Sequence, residues 1–217
     1  MIPVKICGIT SVNDAQLAIE NGASALGLIF YKPSLRNVSM EIAKEIVEFV
    51  NGCVPIIGVF VDEHIQFLKS ILSHVNLDIL QLHGNETPQY CEQFNLPIIK
   101  VFRVRPEFDG SKLIDYNVSA FLFDTYKKGS PGGTGDSFDW ELVSRLKIET
   151  PIILSGGITP QNILSGVETV NPSAVDVNSG VENCSGEKDA MKLAQLFSEI
   201  NLTQGEADFF KKLMVET

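Results

Sequence analysis

Val4-Lys5-Ile6-Cys7-Gly8-Ile9-Thr10-Ser11-Val12-Asn13-Asp14-Ala15-Gln16-Leu17-Ala18-Ile19-Glu20-Asn21-Gly22 contains one complete structural unit and excludes one architecture. A short apolar run from Val4 to Cys7 reads as a strand. Ser11, with a carboxylate three residues on at Asp14, reads as the cap of a helix carrying Ala15, Leu17 and Ala18, and Asn21-Gly22 reads as its stop. The turn between strand and helix, Cys7-Gly8-Ile9-Thr10, is not the glycine fingerprint with which an open, doubly wound dinucleotide-binding sheet begins.

The same unit recurs along the chain. Ala25 to Phe30 precedes a helix opened by Ser39, with Ile42, Ile46, Val47 and Val50 on one face, ending at Asn51-Gly52. Ile56 to Val61 precedes Asp62 and a helix with Ile65, Leu68, Leu72 and Val75. Ile79 to Leu82 precedes Thr87-Pro88, a cap followed by proline at the first helical position. Ile98 to Phe102 comes next; helices four and five are the shortest. Ala120 to Phe123 leads into a glycine-rich loop and Trp140, Leu142, Val143 and Leu146. Ile152 to Leu154 precedes a second Thr-Pro start at Thr159-Pro160, and Val175-Asp176-Val177 precedes a last helix expected over Glu187 to Ile200.

Eight apolar runs rich in Val and Ile, each followed by a helical pattern, predict a parallel sheet covered by helices. Eight units in 217 residues predict an α/β fold, a single (β/α)8 TIM barrel over residues 1–201. Residues 202–217 form a short C-terminal extension, whose Ala207, Phe209, Phe210, Leu213 and Met214 give it an apolar side to pack on the barrel or at a dimer interface.

Hydrophobic content of 44% and charged content of 20% suit one globular domain. The net charge of -10 argues against nucleic acid as a partner. No apolar stretch is long enough for a membrane span, and Met1-Ile2-Pro3-Val4 does not read as a signal peptide, so the expected location is cytoplasmic. Cys7, Cys53, Cys91 and Cys184 lack metal-binding spacing and read as free thiols; no metal site is expected.

In such a barrel the chemistry sits where strands end. Cys7 follows the first strand and Asp124 the sixth, so a thiol and a carboxylate converge on one mouth. Ser155-Gly156-Gly157 after the seventh strand and Asn178-Ser179-Gly180 after the eighth occupy the usual phosphate site of these barrels, where glycines admit backbone N–H groups. Either pair alone reads as plain turn residues; together they predict a phosphorylated small-molecule substrate.

Lys5-Ile6-Cys7-Gly8-Ile9-Thr10, Gln81-Leu82-His83-Gly84, Phe123-Asp124 with Gly132-Gly133-Thr134-Gly135, Ser155-Gly156-Gly157-Ile158, and Val175-Asp176-Val177 with Ser179-Gly180-Val181-Glu182 occur in an order that resembles the phosphoribosylanthranilate isomerase family. The resemblance implies a cofactor-free Amadori rearrangement of N-(5-phosphoribosyl)anthranilate in tryptophan biosynthesis. Asp124 is then the acid that opens the furanose ring and Cys7 the base that takes the C2 proton. An apolar setting and substrate charge are expected to keep Asp124 protonated, and nearby positive dipoles to favour the Cys7 thiolate.

Arg36 is expected to pair with the anthranilate carboxylate; its plain alternative is a solvated loop arginine. Leu35 stands where the family usually has proline, and Asn178 where it has serine. Gln81 and His83 are expected to line the mouth, with a structural role for His83 as an equal alternative. Asp176 is expected to hold a sugar hydroxyl or else to be paired inside the barrel. Arg103 reads as a surface ion-pair residue, and His64 and His74 as solvent-side helix residues. Thr125 to Phe138, with Lys127 and Lys128, reads as a mobile lid. Other functions compatible with the sequence are a related sugar-phosphate isomerase, such as the histidine-pathway Amadori enzyme, and a non-catalytic phospholigand-binding barrel. Monomer and homodimer both stay open.

Overall fold

In a computed structural model of the chain, residues 1–125, 140–201, 203 and 205–215 are described. Ser11 caps α1 (Val12–Asn21) by accepting from the Asp14 N–H, and Gly22 ends it at φ 109°. The carboxylate of Asp14 does not return to Ser11. It is buried, and accepts instead from the Lys188 N–H at 3.1 Å and the Thr10 hydroxyl at 3.2 Å, tying the start of the helix to a segment 174 residues away.

Eight strands close into a parallel barrel: β1 (Val4–Cys7), β2 (Ala25–Ile29), β3 (Ile56–Phe60), β4 (Ile79–Leu82), β5 (Ile98–Val104), β6 (Ala120–Thr125), β7 (Ile152–Leu154) and β8 (Ala174–Val177). Closure pairs β1 with β8, setting Lys5 level with Asp176. Between the strands run α2 (Met40–Val50), α3 (Ile65–Leu72), α4 (Pro88–Cys91), a 3-10 helix (Gly110–Asp115), α5 (Glu141–Ser144) and α6 (Ile163–Val170). Thr87 caps α4 with Pro88 in its first turn. The fifth connection is thus a 3-10 helix.

Two expected helix starts move. Thr159-Pro160 does not begin a helix: the Asn162 carboxamide accepts from the Thr159 N–H at 2.8 Å and donates to the Gly157 carbonyl at 2.8 Å, and α6 starts after it. Glu187–Lys188 is a short strand, β10, antiparallel to β9 (Glu182–Cys184); Asp189 then caps α7 (Ala190–Ile200) by accepting from the N–H groups of Met191 and Lys192. His64 is itself the cap residue of α3, with Nδ1 accepting from the Gln66 N–H.

Period-two alternation along each strand divides the interior. Val4, Ile6, Leu26, Leu28, Phe60, Leu80, Leu82, Phe121, Phe123 and Leu154 pack outward with the helices in the main core. The opposite parity fills the barrel. Its lower layer holds Ala25, Ile57, Ile79, Ile99, Ala120, Ile153 and Ala174, joined there by Phe209, Phe210 and Leu213 of α8 (Phe209–Leu213), which lies across the N-terminal end of the strands as a plug. The upper layer is polar: Lys5, Gln81, Asp124, Ser155 and Asp176 are all buried.

Candidate active site

The cavity at the C-terminal end of the strands, of about 300 Å³, is lined by Cys7, Arg36, Gln81, His83, Asp124, Ser155, Gly156, Gly157, Asp176, Asn178 and Ser179, with an apolar wall of Ile29, Tyr31, Pro33, Leu35, Val59 and Val61. Strand parity explains most of this convergence, because Cys7, Gln81, His83, Asp124, Ser155 and Asp176 sit at or just past strand ends, whereas Arg36 comes from the loop between β2 and α2. Gly180 does not line the cavity. A Cβ there would lie 1.9 Å from the Ile158 carbonyl oxygen, so Gly180 is the point where the loops after β7 and β8 touch.

Cys7 shares its layer with Lys5, whose Nζ donates to Asp176 Oδ1 at 2.7 Å with both groups buried. Burial pushes the Cys7 thiol up, and the Lys5 ammonium opposes that rise only in part. The expected dipole-stabilised thiolate is therefore corrected: the positive group beside the sulfur is a lysine, and desolvation outweighs it. Burial also works against the Lys5 charge, yet Asp176 and Cys7 together hold its pKa above the ordinary lysine value. Gly27 of β2 makes room for the pair, since a Cβ there would lie 2.8 Å from Cys7 Sγ and 3.0 Å from Lys5 Nζ. Asp176 borders the cavity and is paired within the barrel, the second of its two expected readings.

Across the mouth, His83 Nε2 is 3.1 Å from Asp124 Oδ2, and His83 Nδ1 is 3.3 Å from Gln81 Nε2. The Gln81 carbonyl oxygen is buried without a partner among the described residues, an acceptor that a ligand hydroxyl or water would satisfy. The loop carrying His83 is strapped by Lys100, whose Nζ donates to Leu82 O (3.2 Å), Gly84 O (2.9 Å) and Glu86 Oε2 (2.9 Å). Arg103 donates to the His83 carbonyl at 3.2 Å. It forms no ion pair among the described residues, which corrects its reading as a surface ion-pair residue.

Gly156 and Gly157 have φ of 84° and 67°, and their N–H groups donate to none of the described residues. Left-handed glycines with free N–H groups form an anion cradle. The nearest helix after them, α6, begins only at Ile163, so loop N–H groups rather than a helix end provide the donors here. On the other side Ser179–Val181 is one 3-10 turn, with Asn178 Oδ1 accepting from Lys188 Nζ at 3.2 Å.

Residues 4–199 match the family model described as N-(5'phosphoribosyl)anthranilate (PRA) isomerase. The chain belongs to this isomerase family. It is 43% identical over 199 residues to the N-(5'-phosphoribosyl)anthranilate isomerase of Geobacter sp. strain M21, covering 92% of this chain and 98% of the relative. The corresponding isomerase of Nitrosospira multiformis is 41% identical over 94% of this chain and 98% of its own length. Among solved structures, the phosphoribosyl anthranilate isomerase of Thermus thermophilus superposes with a TM-score of 0.84 at 35% identity, covering 92% of this chain and 98% of that one. A further isomerase, solved in complex with reduced 1-(o-carboxyphenylamino)-1-deoxyribulose 5-phosphate, gives 0.80 at 35% identity over 93% and 99%.

In this family member the segment expected to act as a lid, Thr125 to Phe138, lies outside the described residues from 126 onward, and so do Lys127 and Lys128. Four residues that pack on or bond to the cavity lining were not singled out from the sequence: Lys5, Gly27, Glu182 and Lys188. Lys5 carried a readable signal, a charge inside an apolar run of the first strand matched by Asp176 in the last.

Arg36 is not a solvated loop residue. Its Nε and Nη2 donate to Glu182 Oε1 and Oε2 at 2.8 and 2.6 Å. Lys188 Nζ donates to the same carboxylate at 2.9 Å. Burial alone would raise the Glu182 carboxyl, but Arg36 and Lys188 outweigh it and hold it below the usual range. Burial pulls the Lys188 ammonium below the ordinary lysine value, with Glu182 opposing.

Proposed function

We propose that this chain converts N-(5'-phosphoribosyl)anthranilate to 1-(2-carboxyphenylamino)-1-deoxyribulose 5-phosphate, with Asp124 as the acid and Cys7 as the base. Protonation of the furanose oxygen by Asp124 breaks the C1–O bond and leaves a Schiff base between C1 and the aryl nitrogen. Cys7 then removes the C2 proton; the C2–H electron pair forms the C1–C2 double bond of an enolamine as the C1–N π pair moves onto nitrogen, and ketonisation adds a proton at C1 while the C2 hydroxyl loses its own. No net oxidation or cofactor is required. Each positioned proton-transfer group contributes roughly 10²- to 10⁴-fold.

One observation carries the reading: a thiol and a carboxylate border one cavity whose rim also offers the N–H groups of Gly156 and Gly157, unpaired among the described residues. Those groups, with Asn178 and Ser179, suit the substrate phosphate. Gln81, His83 and Asp176 suit the sugar and the acid, and Arg36 suits the anthranilate carboxylate beside the Tyr31–Leu35 wall. Lys5 supports Cys7 by favouring its charged form against the cost of burial. Two positioned proton-transfer groups favour catalysis over ligand binding alone.

The same reading suits a cytoplasmic enzyme acting on a small molecule without nucleic acid; among the described residues no helix is long and apolar enough to cross a membrane. The isomerase of Thermotoga maritima is dimeric and has also been solved as monomers generated from that dimer. Here α8 closes the chain's own barrel, which supports a protomer complete in itself.

The deciding experiment follows the loss of anthranilate-type fluorescence when substrate generated in situ meets the purified protein. Rapid conversion, reduced at least about 10²-fold by Cys7→Ala and by Asp124→Asn, is expected. Absence of conversion by folded wild type would overturn the assignment.

A further inference from the structure

We infer that Glu182 is a positioning residue for recognition of the substrate's carboxylate: it grips the Arg36 guanidinium side-on and leaves the end-on edge as the carboxylate receptor of the cavity. The inference rests on the reading of Arg36 just given and goes beyond it by naming the group that fixes its geometry.

A guanidinium has two edges able to fork a carboxylate, one made by Nε and Nη2 and one by Nη1 and Nη2. Glu182 occupies the first, at 2.8 and 2.6 Å. Nη1 makes no hydrogen bond among the described residues, while Arg36 itself lines the cavity. Substrate therefore needs no exchange of partners; the second edge is already available.

Glu182 is held as firmly as it holds. Its side chain is only 4% exposed, and Lys188 lies opposite it in the β9–β10 pair, donating to Oε1 at 2.9 Å. Lys192 Nζ donates to the Glu182 carbonyl at 2.6 Å. Gly8 closes the other side, where a Cβ would stand 2.7 Å from Arg36 Cδ. Two cations on one carboxylate leave the trio one positive charge in excess, so this corner attracts an anion although the chain carries -10. Lys188 also reaches Asn178 Oδ1, linking the corner to the phosphate loop.

The test compares two probes by calorimetry: the reduced product analogue with its aryl carboxylate, and the same phenylamino compound without it. Wild type should favour the carboxylate analogue by at least about tenfold, as one charge-assisted fork allows. Glu182→Gln should cut that preference below about threefold, while the phenyl analogue and inorganic phosphate keep their affinities within about threefold. Glu182→Asp, which keeps the charge but is one methylene shorter, should fall between, and it decides the matter if the Gln variant does not fold. Equal weakening of both analogues would make Glu182 merely structural and overturn the inference. A wild type without preference would sink the Arg36 reading as well; preference lost in Arg36→Met but kept in Glu182→Gln would sink this inference alone.

Discussion

Replacing Gly180 by alanine tests whether the phosphate cup depends on two loops touching at one atom pair. The added Cβ would stand 1.9 Å from the Ile158 carbonyl oxygen and 2.9 Å from its carbon, and both are backbone atoms with no rotamer to yield. Reaching even the 3.0 Å that real Cβ atoms respect moves one loop from the other by at least about 1.1 Å. A displacement of about 1 Å in a positioned site costs roughly 10²-fold, equivalent to about 2.7 kcal/mol. Overpacking of this kind also lowers stability by about 1–3 kcal/mol, or roughly 2–12 °C in Tm for a chain of this size. We therefore expect kcat/KM to fall about 100-fold, with KM raised and kcat lowered, because binding energy from the remote phosphate also orients the reacting centre. Affinity for inorganic phosphate should fall in parallel. Fluorescence progress curves and calorimetric titration read the two quantities. Gly52→Ala is the control of opposite kind: its φ of 75° strains alanine, as the backbone at Gly180 does not, but nothing lies within 4 Å of the built Cβ, so only stability should suffer. A Gly180→Ala protein with wild-type KM and phosphate affinity would refute the argument that this contact sets the loop spacing.

Two further expectations concern other parts of the molecule. Because burial raises the Cys7 pKa and the base must be deprotonated, kcat/KM should climb with pH on a limb whose midpoint lies above the ordinary thiol value of about 8.5, and Lys5→Met should move it further alkaline; a wild-type midpoint below about 7 would contradict this. Phe210, 1% exposed in the lower barrel, should cost about 3–5 kcal/mol in urea unfolding when replaced by alanine, with kcat little changed; a loss under about 1 kcal/mol would mean that α8 does not seal the barrel.

Local signals with a local cause were legible in the chain. Ser11, Ser39, Thr87, Gly22 and the apolar runs act within a few residues of themselves, so eight units could be counted and a closed parallel barrel inferred. Thr159-Pro160 misled because its apparent cap is overruled by Asn162, which bonds back to Thr159 and Gly157 rather than leaving the chain free to coil. Glu187-Lys188 misled although the cause is local: Ser185-Gly186, with Gly186 at φ 90°, turns the chain back on β9 as a two-residue hairpin before the helix begins. The same division runs through the site. Cys7, Asp124 and the two glycine loops sit at strand ends and could be read by position, whereas the sign of the Cys7 shift could not. It depends on burial and on Lys5–Asp176, groups 171 residues apart that meet only when β8 closes on β1. For Arg36 the sequence offered a ligand carboxylate or solvent but not the fork with Glu182, because Glu182 lies 146 residues downstream.

The plug formed by α8 also carries a consequence for biosynthesis. The Ile2 N–H donates to the Thr203 hydroxyl, and Gly205 passes so close to Ile2 that a Cβ would lie 2.6 Å from its Cα, while Phe209, Phe210 and Leu213 cover Ala25, Ile57 and Ile79. The early strands of the barrel thus wait for residues far downstream of them before their inner faces are dry. At about 5–20 residues per second, the roughly 130–185 residues between those strands and Phe209 impose a delay of about 7–37 seconds. During that interval the nascent half-barrel offers an apolar lower face, where chaperone engagement would concentrate.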